Sequence, residues 1–86
     1  MITSVQILKV DFNEGRVARV EYFGGSDMPL IVHFRDGSMY SYNLWELNPE
    51  KPWIIVFNMI TGIRGETPGE FFSKHIKNKC SYARLK

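Results

Sequence analysis

Two kinds of side chain in this sequence have the chemistry to grip a polyanion. Tyrosines stand at Tyr40 and Tyr42 and again at Tyr82, and cations stand at Lys74, Lys77, Lys79, Arg84 and Lys86. Aromatic faces give bases a surface on which to stack, and Lys or Arg beside them meets the phosphates, the combination by which proteins hold single-stranded nucleic acid. His33 and Arg35, just upstream of the tyrosine pair, would add two contacts. From residue 71 to 86 there is no Asp or Glu, so this segment carries +5, whereas residues 1 to 70 hold 6 basic against 9 acidic residues. The overall +2 therefore hides an acidic body and a basic end, an asymmetry that favours a polyanionic partner. Each feature also has a plainer reading. Tyrosines two apart on a strand commonly form half-buried cross-strand pairs with their hydroxyls at the rim. Lys77 and Lys79 complement the negative end of a helix dipole.

Catalytic constellations are thin. His33, His75 and Cys80 are the only imidazole or thiol side chains, fewer than the four protein ligands of a closed structural zinc site. A three-ligand catalytic zinc stays formally open, but His75 falls on the apolar edge of its helix, where a packed or rim histidine is commoner than a ligand. Five residues do not bring Cys80 reliably within hydrogen-bond reach of His75 for nucleophilic work. Gly24-Gly25 and the Gly62-to-Gly69 stretch lack the spacing and the Lys-Ser/Thr of a phosphate-cradling loop. Exposed turn and cap positions explain the acidic pairs Glu66 with Glu70 and Asp36 with Glu14. No catalytic function, cofactor or metal is expected from these residues.

The elements that must position the tyrosines are two hairpins of one pattern. Phe12-Asn13-Glu14-Gly15-Arg16 and Phe34-Arg35-Asp36-Gly37-Ser38 each place Gly third in the turn, where a three-residue loop needs positive φ. Three-residue loops set Phe12 opposite Arg16, Val10 opposite Ala18 and Leu8 opposite Val20; in the second hairpin they set Phe34 opposite Ser38, Val32 opposite Tyr40 and Leu30 opposite Tyr42. Both hairpins then offer one apolar face. A two-residue turn at Asp36-Gly37 is the rival and would move Tyr40 and Tyr42 to the side of Ile31, His33 and Arg35; the first register is preferred because it strands no apolar stripe in water. Gly24 to Pro29 is a loop. Asn48 to Pro52 breaks the sheet and starts a helix to about Ile60 or Thr61, stopped by Gly62. By composition its middle, Trp53 to Phe57, could equally be a buried strand, and the flanking Pro and Gly favour the helix. Thr67-Pro68-Gly69-Glu70 reads as an N-cap and capping box for a second helix, with Phe71, Phe72, His75 and Ile76 on its inner face and Lys74, Lys77 and Asn78 outward.

The order of these blocks resembles the KTSC domain, a small family named for its occurrence at the C-terminus of some lysyl-tRNA synthetases and also found as a free-standing protein. The resemblance is carried by Leu30-x-Val32-x-Phe34-x-x-Gly37-x-x-Tyr40-x-Tyr42, by Gly69-x-x-Phe72-x-x-x-Ile76, and by the closing Tyr82-x-Arg84-Leu85, covering roughly Val20 to Leu85. The Tyr-x-Tyr element is the centre of the family pattern and the Gly-x-Phe-Phe helix with its basic end the second block; the family has no established function, RNA binding being a suggestion, so the resemblance implies a nucleic-acid hypothesis. Two features depart from the family pattern: a hairpin to about Arg19 precedes the family-like core, and the connection from Trp53 to Pro68 is longer and more apolar. The hairpin is either part of the sheet or an arm given to a partner.

Length and composition bound the rest. At 86 residues the chain reads as one domain spanning 1–86, able to fold without metals or disulfides. A lone cysteine and the lack of a basic-then-apolar N-terminus or a ~20-residue apolar run point to a cytoplasmic protein outside the membrane. The sequence reading is thus an α+β domain: a four-stranded antiparallel meander with two C-terminal helices on one face. The function expected is non-catalytic nucleic-acid binding, most readily of RNA. The alternative is a protein-interaction module, an adaptor or an inhibitor of a partner enzyme, using whatever part of the Trp45 and Trp53 region the core leaves exposed. About four phosphate contacts would give a log-log salt slope near −3, whereas a Trp-centred contact would barely respond. Changing Lys74, Lys77 and Lys79 to Glu is expected to abolish RNA binding without unfolding the domain.

Overall fold

Glycines set the two turns as the sequence requires: Gly15 and Gly37 hold φ of 86° and 96° in the left-handed region. The structure, a computed structural model, describes residues 4–63 and 65–86. Strands β1 (Val5–Asp11) and β2 (Val17–Gly24) form the first hairpin, and β3 (Leu30–Phe34) and β4 (Met39–Tyr42) the second. A short 3-10 turn (Leu44–Glu46) leads to helices α1 (Trp53–Thr61) and α2 (Pro68–His75), and the chain closes with β5 (Tyr82–Arg84). All five strands are antiparallel neighbours in sequence order, β1-β2-β3-β4-β5. The α+β class stands, with two corrections: the sheet has five strands rather than four, and the helices are followed by a strand. The open edge of β4 offers unpaired backbone groups. The end of the chain satisfies them, with Leu85 N–H donating to Met39 O at 2.7 Å and Asn43 N–H to Ser81 O at 2.9 Å.

The second hairpin has the expected register, Val32 opposite Tyr40 and Leu30 opposite Tyr42. In the first hairpin the pairing slides by two residues: Val10 faces Val20, Leu8 faces Tyr22, and Phe12 N–H reaches Ala18 O rather than Arg16. A slide of two keeps every side chain on its face. The wider loop has a partner that local sequence does not contain. Arg35 donates to the carbonyls of Phe12 and Gly15 (both 2.8 Å) and of Val17 (3.2 Å), filling the ring that a three-residue turn would have closed. A register irregularity between Val17 and Arg19 lets Val17 and Val20, three residues apart, both bury completely.

Registers of the four hairpin strands and β5 combine into two rows of side chains across the sheet: Val10, Val20, Val32, Tyr40, Arg84, and Leu8, Tyr22, Leu30, Tyr42, Tyr82. Their middle is core, closed by Val56 and Met59 of α1, by Phe71 and Phe72 of α2 and by Ile76. Towards β5 the same rows turn aromatic and basic: Phe72 of α2 covers Tyr42, while Tyr82 and Arg84 are exposed. The N-terminal hairpin is therefore part of the sheet. Among the described residues no helix is long and apolar enough to cross a membrane.

Both helices carry the end signals read from the sequence. Thr67 Oγ1 accepts from Glu70 N–H (3.2 Å) while Glu70 Oε1 accepts from Thr67 N–H (3.0 Å), the reciprocal capping box. Gly62 ends α1 at φ 63°, ψ 28°. An L-residue there meets its own carbonyl oxygen, so Gly62→Ala is expected to destabilise the domain by about 1 kcal/mol, lowering the thermal midpoint by roughly 4–8 °C for a domain of this size. An unchanged midpoint would mean that α1 does not depend on this cap.

Candidate nucleic-acid interface

The exposed end of the two rows is a cluster of rings. Tyr42 pairs across the strands with Tyr82, and Tyr40 with Arg84. Tyr40 and Tyr42 lie 6.4 Å apart with nearly parallel planes at 28°, and Tyr82 is 5.9 Å from Tyr40 and 6.1 Å from Tyr42. The Arg84 guanidinium sits 5.6 Å from the Tyr40 ring centre, within cation–π range. Beneath them Phe72 meets Phe34 and Tyr42 edge-on at 5.3 and 5.2 Å. Exposure rises outward: Tyr42 is 5% exposed and forms the floor, Tyr40 is half-buried, and Tyr82 is 59% exposed. The plainer reading of the pair thus fits Tyr40, which is half-buried, and Tyr42 goes beyond it into the core, whereas Tyr82 presents a ring to solvent.

These rings line an open cleft of about 480 Å³, within the roughly 300–1,000 Å³ range of ligand sites. Its walls come from three other places. Arg16 extends from the β1–β2 loop, Asp36 and Ser38 from the β3–β4 turn, and Lys77 and Asn78 from the segment after α2. Asn78 turns that segment back with φ of 62°, a conformation Asn tolerates. The hairpin loops lie side by side, Arg35 N–H donating to Arg16 O at 2.8 Å.

Of the residues singled out from the sequence, the cleft collects Tyr40, Tyr42, Tyr82, Lys77 and Arg35, with Arg84 on the Tyr40 ring. Arg35 enters it with its guanidinium already engaged by backbone carbonyls. His33 lies on the other side of the sheet, as its place next to core-facing Val32 dictates, and its Nε2 is 2.6 Å from Glu21 Oε2. Lys74 lies 3.0 Å from Glu66 Oε2 and His75 3.1 Å from Glu66 Oε1, so one carboxylate ties down two of the helix's polar side chains. The Lys74 ammonium, and then His75, hold the Glu66 carboxyl below its usual range. Lys79 and Lys86 are exposed outside the cleft lining. Sequence reasoning missed Arg16, Asp36, Ser38 and Asn78 as lining residues. A signal existed for two of them: Arg16 and Ser38 occupy the same position after Gly in the two matching turns.

Two titrating groups describe the chemistry. Burial, and after it the neighbouring Tyr40, Cys80 and Tyr82, push the Tyr42 hydroxyl up to about 12. An unfolded tyrosine ionises near 10, so between pH 10 and 12 the unfolded chain binds fewer protons and stability falls as pH rises. Tyrosinate absorbance at pH 11 is expected to be lower for the native chain than for the denatured one, and Tyr42→Phe should reduce this difference. Equal absorbance would place Tyr42 in water. Burial likewise pushes the Cys80 thiol up, which makes it a poor nucleophile at neutral pH. Aromatic faces, cations and one carboxylate thus line the same cleft.

Comparison with protein-family models, with curated proteins and with solved structures finds no match to the chain.

Proposed function

We propose that the chain is a non-catalytic nucleic-acid-binding module that holds single-stranded RNA in the tyrosine cleft, with Tyr82 and Tyr40 as stacking surfaces and Arg16, Lys77 and Arg84 as phosphate contacts. One observation carries this reading: the sheet register sets Tyr40, Tyr82 and Arg84 beside the buried ring of Tyr42 at the β4–β5 edge, next to cations brought from separate loops. The KTSC-like reading supports RNA as the polymer. Its three blocks, Tyr40-x-Tyr42, the Phe72 helix and Tyr82-x-Arg84, are distant in sequence and meet at this cleft.

The test is binding of short fluorescent RNA and DNA strands at several salt concentrations. Three phosphate contacts on a single strand predict a log-log slope of about −2, and Lys77→Glu with Arg84→Glu should remove most of the affinity. Lys74 is a poor choice for charge reversal, because a Glu there would face Glu66. Unchanged affinity in the double variant would overturn the assignment of these cations.

A second reading has its own observation. Trp53 and Phe57, one turn apart on α1, are 51% and 50% exposed. Val56 and Met59 supply the inward face of α1 instead. This outer stripe supports a protein-docking role that salt would scarcely affect.

A further inference from the structure

Among the cleft's cations stands one carboxylate, Asp36, and a carboxylate repels phosphate. Its Oδ1 accepts from the Ser38 hydroxyl at 2.7 Å and from Ser38 N–H at 2.9 Å, which fixes the side chain across the turn. Both hydrogen bonds it accepts among the described residues use Oδ1, leaving Oδ2 for a ligand. The Ser38 contacts, and beyond them the fields of Arg84 and Arg16, hold the group below the usual carboxylate range, so it is ionised at neutral pH. A fixed anionic acceptor in a site lined by aromatic rings wants a neutral donor from a stacked ligand. The edges of nucleobases supply such donors.

We infer that Asp36 makes the tyrosine cleft selective for bases bearing an exocyclic amino group, cytosine among the pyrimidines, over uracil. This rests on the cleft taking a nucleic-acid base. In the inferred pose the base stacks on Tyr82 or Tyr40, which line the same cleft as Asp36, and its edge meets the β3–β4 turn. Cytosine then presents its N4 amino group to Oδ2, a pairing by which acidic side chains read this base. Uracil presents O4 at the same place, and its single N3–H donor is flanked by two carbonyl oxygens that the carboxylate repels. The two pyrimidines are close in size, so the difference between them isolates this contact.

The experiment compares a short oligocytidylate with an oligouridylate of equal length, bound to the wild-type chain and to Asp36→Asn. A single such hydrogen bond predicts roughly fivefold tighter binding of the cytidylate by the wild type, at the low end of measured base discrimination. Asp36→Asn keeps an Oδ1 acceptor for Ser38, so the turn survives, and replaces Oδ2 with an amide donor. It should bring the ratio to about one or reverse it. The lost negative charge strengthens both strands alike and cancels in that ratio. Equal affinities in the wild type, or a cytidylate preference that persists in Asp36→Asn, would overturn the inference while RNA binding stands. Binding of neither strand would overturn both.

Discussion

Tyr82→Ala is expected to weaken binding of a short RNA by roughly ten- to a hundredfold, the loss of one base–aromatic stack. Tyr82 is the most exposed ring of the cluster and stands at the end of its cross-strand row, so the same change should leave the fold largely in place. Tyr82→Phe should keep the affinity, since the stacking face rather than the hydroxyl is the interacting surface. Adding Tyr40→Ala should deepen the loss, because Tyr40 is the other tyrosine of the cluster that is not buried. The outcome that contradicts this account is an alanine variant with wild-type affinity. Loss of affinity in Tyr82→Phe as well would move the contact from the ring face to the hydroxyl.

Phe72→Ala is expected to cost about 3–5 kcal/mol, the usual range for removing a buried aromatic ring. Small domains hold roughly 0.05–0.15 kcal/mol of stability per residue, so this loss consumes a large share of the total. Phe72 is 2% exposed and touches rings on two strands, Phe34 of β3 and Tyr42 of β4. It joins α2 to the sheet and carries the cleft floor at the same point. Phe72→Leu conserves most of the volume and is expected to cost less than about 1.5 kcal/mol, leaving a folded chain in which RNA binding can be measured. Denaturant unfolding of the two variants checks the ranking. Similar losses for both would mean that ring geometry, rather than filled volume, holds the helix in place.

Local rules carried much of the fold. Gly15 and Gly37 mark left-handed turn positions, Gly62 ends a helix and Thr67 with Glu70 begins one, because each depends on residues within a few positions of itself. The β3–β4 register was legible because the alternative would have exposed an apolar stripe. The rest depended on distant partners. The first hairpin slides by two residues around the guanidinium of Arg35, from the following hairpin. β5 is three residues long and exposed throughout, so no hydrophobic alternation announces it; only the open edge of β4 makes it a strand.

The site shows the same division. That Tyr40 and Tyr42 share a face follows from strand period, and that the face is the core's follows from the register that strands no apolar stripe. That Tyr82 and Arg84 stand beside them depends on β5, so a segment with the composition of a basic tail turns out to be the outer wall of a cleft. Charge was the weakest guide, because it ignores pairing: Lys74 and His33 face Glu66 and Glu21, while Lys77 reaches the cleft. Asp36, which the sequence explains as an exposed turn position, lines the same cleft.

The most direct test of RNA binding at this cleft is titration of the isotopically labelled chain with a short single-stranded RNA, following backbone amide shifts by NMR. The account predicts perturbations concentrated at Arg16, Tyr40, Lys77, Asn78, Tyr82 and Arg84, diminishing as salt is raised. Absence of shifts at low salt, or shifts confined to the Trp53 and Phe57 face of α1, would contradict it.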